Sequence, residues 1–374
     1  MFFRDVIGQN IIKERLIRFV SEQRISHALM FTGPEGTGKL ALALAFAQYV
    51  SCRDRKETDS CGVCPSCRKY QKLVHPDLHF VFPVYNTKDL KKPVSDDYLP
   101  SWREMVKTSP YFTLSQWLAF IKSENKQGLI YESESESIIK KLSLKSFESE
   151  YKVMVIWLPE KMHPFCSNKL LKLIEEPPNK TLFLLVTENE ESVITTIRSR
   201  TQRIFVPFID NESMSETLIK VHGYSPDQAK DAVRLANGNF ITAREFLNPD
   251  DNNSWFFNQF QEMMRFAYMS NIAELVRWSE EMANLGRDRQ KVFFSLSLRL
   301  IREYFVMNLN QPDLTYLSRE ELGWGEKFAP FINERNIIPL SKEFEKGITH
   351  ISMNGNARII FFDTALKITR LIKA

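Results

Sequence analysis

A glycine-rich loop carries the first readable chemistry in this chain. Gly33-Pro34-Glu35-Gly36-Thr37-Gly38-Lys39 follows the apolar run Ala28-Leu29-Met30-Phe31 and leads into Leu40-Ala41-Leu42-Ala43-Leu44-Ala45, a strong helix former. Strand, loop and helix in that order aim backbone N–H groups and a helix N-terminus at phosphate, with a lysine as point charge. Gly33, Gly36, Thr37, Gly38 and Lys39 are the expected nucleotide-facing residues. The pattern ordinarily closes on Ser or Thr, whose hydroxyl helps hold Mg²⁺. Here that position is Leu40, and a hydrocarbon cannot ligate a metal. Such a site also needs an apolar strand ending in acidic residues, one for the metal and one to orient water. Val153-Met154-Val155-Ile156 is the best such strand, and it runs into Trp157 and Leu158 where the carboxylates belong. Glu160 stands beyond Pro159 and is poorly placed to substitute. The expectation is a degraded nucleotide hydrolase, inactive or poor by itself. Residual ATP or ADP binding stays open, because a cradle of N–H groups needs nothing from Leu40. The blander alternative is a strand-to-helix turn without a ligand.

Cys52, Cys61, Cys64 and Cys67 form C-x8-C-x2-C-x2-C in a short polar stretch. Four thiolates suit tetrahedral Zn²⁺ and leave no open position, so a zinc here is structural. Two disulfides or an iron–sulfur cluster are the alternatives. Cys166 reads as a small buried hydrophobe, and His75 and His79 are not needed as ligands. A third group follows the apolar run 182–187: Thr195-Thr196-Ile197-Arg198-Ser199-Arg200-Thr201-Gln202-Arg203. A solvated charged face would explain it. The sharper reading is that one guanidinium reaches a phosphate through its planar fork.

The elements that must position these groups fall into three regions. Up to about Phe208, strand candidates at 28–32, 78–82, 153–158, 182–187 and 203–206 alternate with helical stretches, which predicts an α/β fold with a parallel sheet. Residues 213–221, 225–237 and 241–247 read as short helices broken at Gly223 and Gly238. From Asn253 onward the pattern is long amphipathic helices, with Phe293, Leu296, Leu300 and Tyr304 on one stripe and Phe361, Ala365, Ile368 and Ile372 on another. The expected domains are 1–208, 209–250 and 251–374. An extension at 85–127 contains Trp102, Tyr111, Phe112 and Trp117 among basic residues. A small packed core of its own and a single-strand nucleic-acid surface are both open to it. The acidic repeat Glu132-Ser133-Glu134-Ser135-Glu136-Ser137 suits a helix N-terminus.

The 374 residues are 43% hydrophobic and 26% charged, ordinary values for a globular protein, and the net charge of +4 does not by itself argue for nucleic acid. No apolar run approaches the roughly 18 residues of a membrane span, and the opening residues lack a secretory layout. A cytoplasmic location with reduced cysteines is expected.

Ile7-Gly8-Gln9, Ser26-His27-Ala28-Leu29 before the loop, the cysteine module after the first long helix, Leu170-Leu171-Lys172-Leu173-Ile174-Glu175-Glu176-Pro177-Pro178 and Arg198-Ser199-Arg200 together resemble the clamp-loader ATPases of bacterial replication. Asn354-Gly355-Asn356-Ala357-Arg358 extends the likeness to the last helix, more weakly after Asp250. The resemblance implies a P-loop domain of the AAA+ class, a small helical lid and an all-α collar that holds a ring together. It implies a hetero-pentamer with delta and gamma/tau subunits of a DNA polymerase III holoenzyme, acting on a sliding clamp and primer–template DNA. In this family a Ser-Arg-Cys arginine acts in trans on a neighbour's nucleotide. Ser199 and Arg200 match it, with Thr201 replacing the Cys. Motor subunits also carry a lid arginine where this chain has Ile241, with Arg244 three residues on. The losses at Leu40, Trp157 and Leu158 favour a non-hydrolysing member over a gamma/tau motor. A stand-alone P-loop enzyme using Glu160 or Glu175, and a zinc-bearing nucleic-acid module, are the readings from other classes.

Overall fold

The computed structural model describes residues 1–87, 90–123, 128–178, 180–247, 251–309 and 315–373. Two compact units divide between Arg244 and Glu245. The first is built on five parallel strands: β1 (Ala28–Thr32), β2 (Leu78–Val81), β3 (Lys152–Trp157), β4 (Thr181–Thr187) and β5 (Gln202–Phe205), in the order β2-β3-β4-β1-β5. Every strand end lies within one residue of its expected position. The three central strands are buried along their whole length. Unbroken apolar runs are what a parallel sheet covered on both faces demands. On one face Ala28, Met30, Met154, Ile156, Phe183 and Leu185 alternate along their strands and share a core with Leu170 and Ile174.

The helices of this unit are α1 (Asn10–Ser21), α2 (Lys39–Ser51), α3 (Pro65–Gln71), α4 (Leu99–Thr108), α5 (Leu114–Phe120), α6 (Glu134–Ser143), α7 (Pro164–Glu175), α8 (Thr195–Arg198), α9 (Asn211–Lys220), α10 (Pro226–Ala236) and α11 (Phe240–Leu247), whose last residues cross into the second unit. All thirteen residues of α2 are buried, and the helix packs across β1, β3 and β4. An all-round apolar helix in the middle of a domain has this fate. Local chemistry sets the boundaries. Ser225 Oγ accepts from Gln228 N at 3.3 Å and Pro226 occupies the first turn of α10, while Asn237 and Gly238 leave that helix at positive φ. The acidic repeat starts α6, as expected, with Glu134 and Glu136 in its first turn. Glu134 is itself buried, its Oε2 accepting from Ser95 N at 2.6 Å and Ser95 Oγ at 2.9 Å.

The extension leaves the sheet after β2 and returns through paired hydrogen bonds of 2.9 Å between Val84 and Leu129. Residues 88, 89 and 124–127 of it lie outside the described set. Trp102 of α4, Trp117 of α5, and Tyr111 and Phe112 in the connection between them are all buried. Phe82 stacks on Trp102 at 4.2 Å, and Trp117 stands edge-on to Trp102 at 5.3 Å. These rings are therefore core, not a stacking platform for bases.

The second unit holds α12 (Asp251–Met269), α13 (Ile272–Ala283), α14 (Arg287–Met307), α15 (Arg319–Phe328), α16 (Ile337–Ser352) and α17 (Ala357–Leu371). Phe260, Trp278, Phe293, Phe294, Tyr304 and Phe361 lie in one continuous core. The expected stripes hold, with Leu296 partly rather than fully buried.

Candidate functional site

Strand register assembles the loop region. Thr32 of β1 pairs with Thr187 of β4, so Gly33 and Glu188 leave the sheet side by side at its C-terminal edge. The chain from β4 to β5 passes over β1 at this place, and ligand sites of open parallel sheets form at such crossings. The loop is closed from within. Thr37 Oγ1 donates to Pro34 O at 2.9 Å, and the buried Lys39 Nζ donates to the same carbonyl. Leu40 is buried.

Three separate segments press on the loop. Gln9, near the N-terminus, donates through Nε2 to Thr37 O at 3.2 Å and Pro207 O at 2.7 Å. At the start of α11, Phe240 N donates to Gly36 O at 3.2 Å. A Cβ on Gly36, whose φ is +75°, would fall 1.7 Å from Asn239 Oδ1, so only glycine fits. From the extension, the Tyr111 hydroxyl accepts from Ile7 N at 3.0 Å. It would stand 2.9 Å from a Cβ on Gly38. The Tyr111 ring lies edge-on to Phe240 at 5.0 Å.

The charges around Lys39 are carboxylates of this same chain. Burial lowers the Lys39 ammonium below the usual lysine value, opposed by Glu188, Glu35 and Glu160 in that order. Burial pushes Glu188 up to about 7, with Glu35 adding to the rise and Lys39 opposing it. Glu35 is raised by burial too, against Lys39 and a hydrogen bond from Asn239. Sequence reasoning missed Glu35 and Glu188. The available signal was the acid inside the loop motif and the acid just after the apolar strand.

Trp157 and Leu158 are both buried. Trp157 ends β3 and packs against Trp102 at 5.3 Å and Phe112 at 5.1 Å, both from the extension. Leu158 was expected within the strand. It turns out of it at φ +55°, its N–H bonded to Val186 O at 2.8 Å. That turn carries Glu160 back toward the loop, closer than its position beyond a proline suggested. Glu160 Oε1 is engaged there, accepting from Glu188 N at 3.1 Å and Asn189 N at 3.4 Å.

Ser199 and Arg200 follow α8 on an exposed corner. Arg200 Nη1 donates to Thr196 O at 3.0 Å and to Ser199 Oγ at 3.3 Å. Its Nε lies 2.7 Å from Glu175 Oε1. Thr201 Oγ1 donates to Arg198 O at 3.0 Å, so the residue standing for the family's Cys is satisfied locally. Ile241 is buried. Arg244 lies beside His222, whose pKa is lowered by burial and then by that arginine.

The four cysteines come together as expected. Cys52, Cys61, Cys64 and Cys67 place their sulfurs within 4.8 Å of one another, and none is in a disulfide. Backbone N–H groups of Cys61, Cys64 and Cys67 point at Cys52, Cys61 and Cys64 sulfurs at 3.3, 3.4 and 3.4 Å. Amides stabilise thiolate, and four thiolates this close need a cation between them. The donor set fits Zn²⁺ and offers no position for a substrate. His75 Nδ1 accepts from Asp77 N at 3.1 Å and His79 lies within β2, so neither belongs to the cluster. Asp59, between the cysteines, accepts from Phe3 N and Arg4 N, each at 3.1 Å. The module thereby anchors the N-terminal segment that presses on the loop. Cys166 is buried and its thiol is pushed up to about 12 by burial, so it is inert.

A family profile described as DNA polymerase III, delta subunit, matches residues 8–209. DNA polymerase III subunit delta' of Bacillus subtilis (strain 168) is 27% identical over 240 residues, 64% of this chain and 59% of that protein. Protein STICHEL-like 4 of Arabidopsis thaliana is 24% identical over 234 residues, 62% of this chain and 20% of that protein. DNA polymerase III subunit tau of Bacillus subtilis (strain 168) is 25% identical over 219 residues, 59% of this chain and 31% of that protein. The matches span about a fifth to three fifths of these relatives' own length. A solved DNA polymerase III gamma subunit-related protein from Thermotoga maritima has a TM-score of 0.41 and 12% identity, covering 96% of this chain and 99% of that one.

Proposed function

The chain belongs to the family described as DNA polymerase III, delta subunit, and from that premise we propose that it is a delta-prime-like clamp-loader subunit that hydrolyses no ATP itself and lends Arg200 to a neighbour. Residues 1–208 act as the nucleotide-binding-like AAA+ region, 209–250 as the lid and 251–374 as the collar of a hetero-pentamer with delta and gamma/tau subunits. The assembly loads a sliding clamp on primed DNA in the cytoplasm. Arg200, beside Ser199, stabilises charge on the phosphoryl group transferred from ATP held by a gamma/tau subunit. Arginines supplied in trans are worth about 10³–10⁵ in rate elsewhere.

One observation carries this reading. Trp157 and Leu158 are packed into the core where hydrolysis needs carboxylates, while Arg200 stands on an exposed corner. Buried Leu40 and a buried Lys39 that is turned onto Pro34 O within its own loop support the same view. Cys52, Cys61, Cys64 and Cys67 hold a structural Zn²⁺ that supplies folding energy and no reaction chemistry.

The test is ATP turnover by the purified chain with Mg²⁺. No turnover above background is expected. Hydrolysis that disappears in Lys39→Ala would make the chain a gamma/tau-type or stand-alone ATPase and overturn the proposal.

A further inference from the structure

Glu175 is the last residue of α7, and a carboxylate at a helix C-terminus is disfavoured by the helix dipole. Its placement therefore calls for a cation, and Arg200 supplies one at 2.7 Å. Both residues are carried by rigid anchors. Ile174, one residue before Glu175, and Ile197, three before Arg200, are buried in the same core cluster. Helices α7 and α8 pack together there. The guanidinium is held on two sides, by hydrogen bonds from Nη1 to Thr196 O and Ser199 Oγ and by the ion pair of Nε with Glu175. No hydrogen bond among the described residues uses Nη2. Nη1 has two N–H groups and both are engaged there, which leaves Nη2 as the donor that can reach a phosphate.

We propose that Glu175 is a positioning residue for the arginine acting in trans: its carboxylate fixes the guanidinium so that Nη2 faces the neighbouring subunit's phosphate before the subunits meet. This inference rests on the trans-arginine reading of Arg200. An ion pair at this exposure, 39% for Arg200 and 43% for Glu175, contributes little to stability. Its role is orientational. Without it, the long arginine side chain must be ordered during the encounter, which lowers turnover about three- to tenfold.

The experiment is a double-mutant cycle in the reconstituted assembly, reading DNA- and clamp-stimulated ATP turnover and the unfolding midpoint of each variant chain. Glu175→Ala should lower maximal turnover several-fold while the unfolding midpoint and ring formation stay those of the parent. Glu175→Gln, which keeps an oxygen at the same place, should fall between the two. Adding Glu175→Ala to Arg200→Ala should cost nothing further. Additive losses would mean that Glu175 acts through something other than the arginine, and higher turnover in Glu175→Ala would make the contact a restraining latch; either overturns the proposal. If Arg200→Ala alone leaves turnover unchanged, the trans-arginine reading fails first. A loss in Arg200→Ala with none in Glu175→Ala sinks only the positioning role.

Discussion

Replacing Trp157 by Asp would restore the carboxylate that nucleotide hydrolysis asks for at the end of β3, and the packing around that position refuses it. Trp157 is 3% exposed and lies against Trp102 and Phe112 at 5.3 and 5.1 Å. Truncating a buried tryptophan costs about 3–5 kcal/mol. The incoming carboxyl would sit among aromatic rings, and an unsatisfied buried polar group adds about 1–3 kcal/mol. The total, about 4–8 kcal/mol, approaches the whole stability of an ordinary domain, about 5–15 kcal/mol. Thermal and urea unfolding followed by circular dichroism would measure it. Trp157→Phe, which keeps a ring between Trp102 and Phe112, should lose less than half as much. The Asp variant should unfold first and show no ATP turnover in any fraction that stays folded. A Trp157→Asp chain within about 1 kcal/mol of the parent, the range of an unremarkable substitution, and hydrolysing ATP with Mg²⁺ would refute the argument. The site would then be missing one ligand rather than being built over.

Zinc analysis of the purified chain should find one equivalent of tightly held metal. Cys64→Ser or a strong chelator should lower the stability of the fold, by about 4 kcal/mol where free zinc had stood a thousandfold above its Kd, without changing the chemistry of turnover in the assembly. Unchanged stability after metal removal would contradict a structural zinc. Glu188 makes a pH prediction. Its carboxyl is raised from an ordinary value of 4.5 to about 7, surrounded by Glu35, Lys39, Glu160 and Lys161. Between those values the native chain holds a proton that the unfolded chain has released. Stability from this group is therefore complete below about 4.5, falls as pH rises to about 7, and is flat above, on the order of 3 kcal/mol in all. Glu188→Gln should remove that slope and stabilise the chain at pH 8; a variant with the parent's pH dependence would show that Glu188 is not held protonated by the loop.

Much of this was legible in the residues because the signals were local. The loop motif, the cysteine spacing and the apolar runs of β1, β3 and β4 each lie within a short window. Long-range effects were less legible. The approach of Glu188 to the loop follows from the pairing of Thr32 with Thr187, a register that no window contains. The return of Glu160 depends on the positive φ of Leu158, which a leucine does not advertise. The extension showed its aromatics but not their target. Tyr111 closes on Gly38, and Trp102 and Phe112 on Trp157, through tertiary packing alone. The Glu175–Arg200 pair joins two motifs that looked independent along the chain, and only the contact of α7 with α8 brings them together.

The central claim is that this chain works on a neighbour's nucleotide and not on its own. The most direct measurement is DNA- and clamp-stimulated ATP hydrolysis by the reconstituted assembly containing either this chain or its Arg200→Ala variant, with ring formation checked in parallel. The account predicts intact rings and a turnover lower by about 10³ or more at the site facing this subunit. Equal turnover from the two assemblies would contradict it.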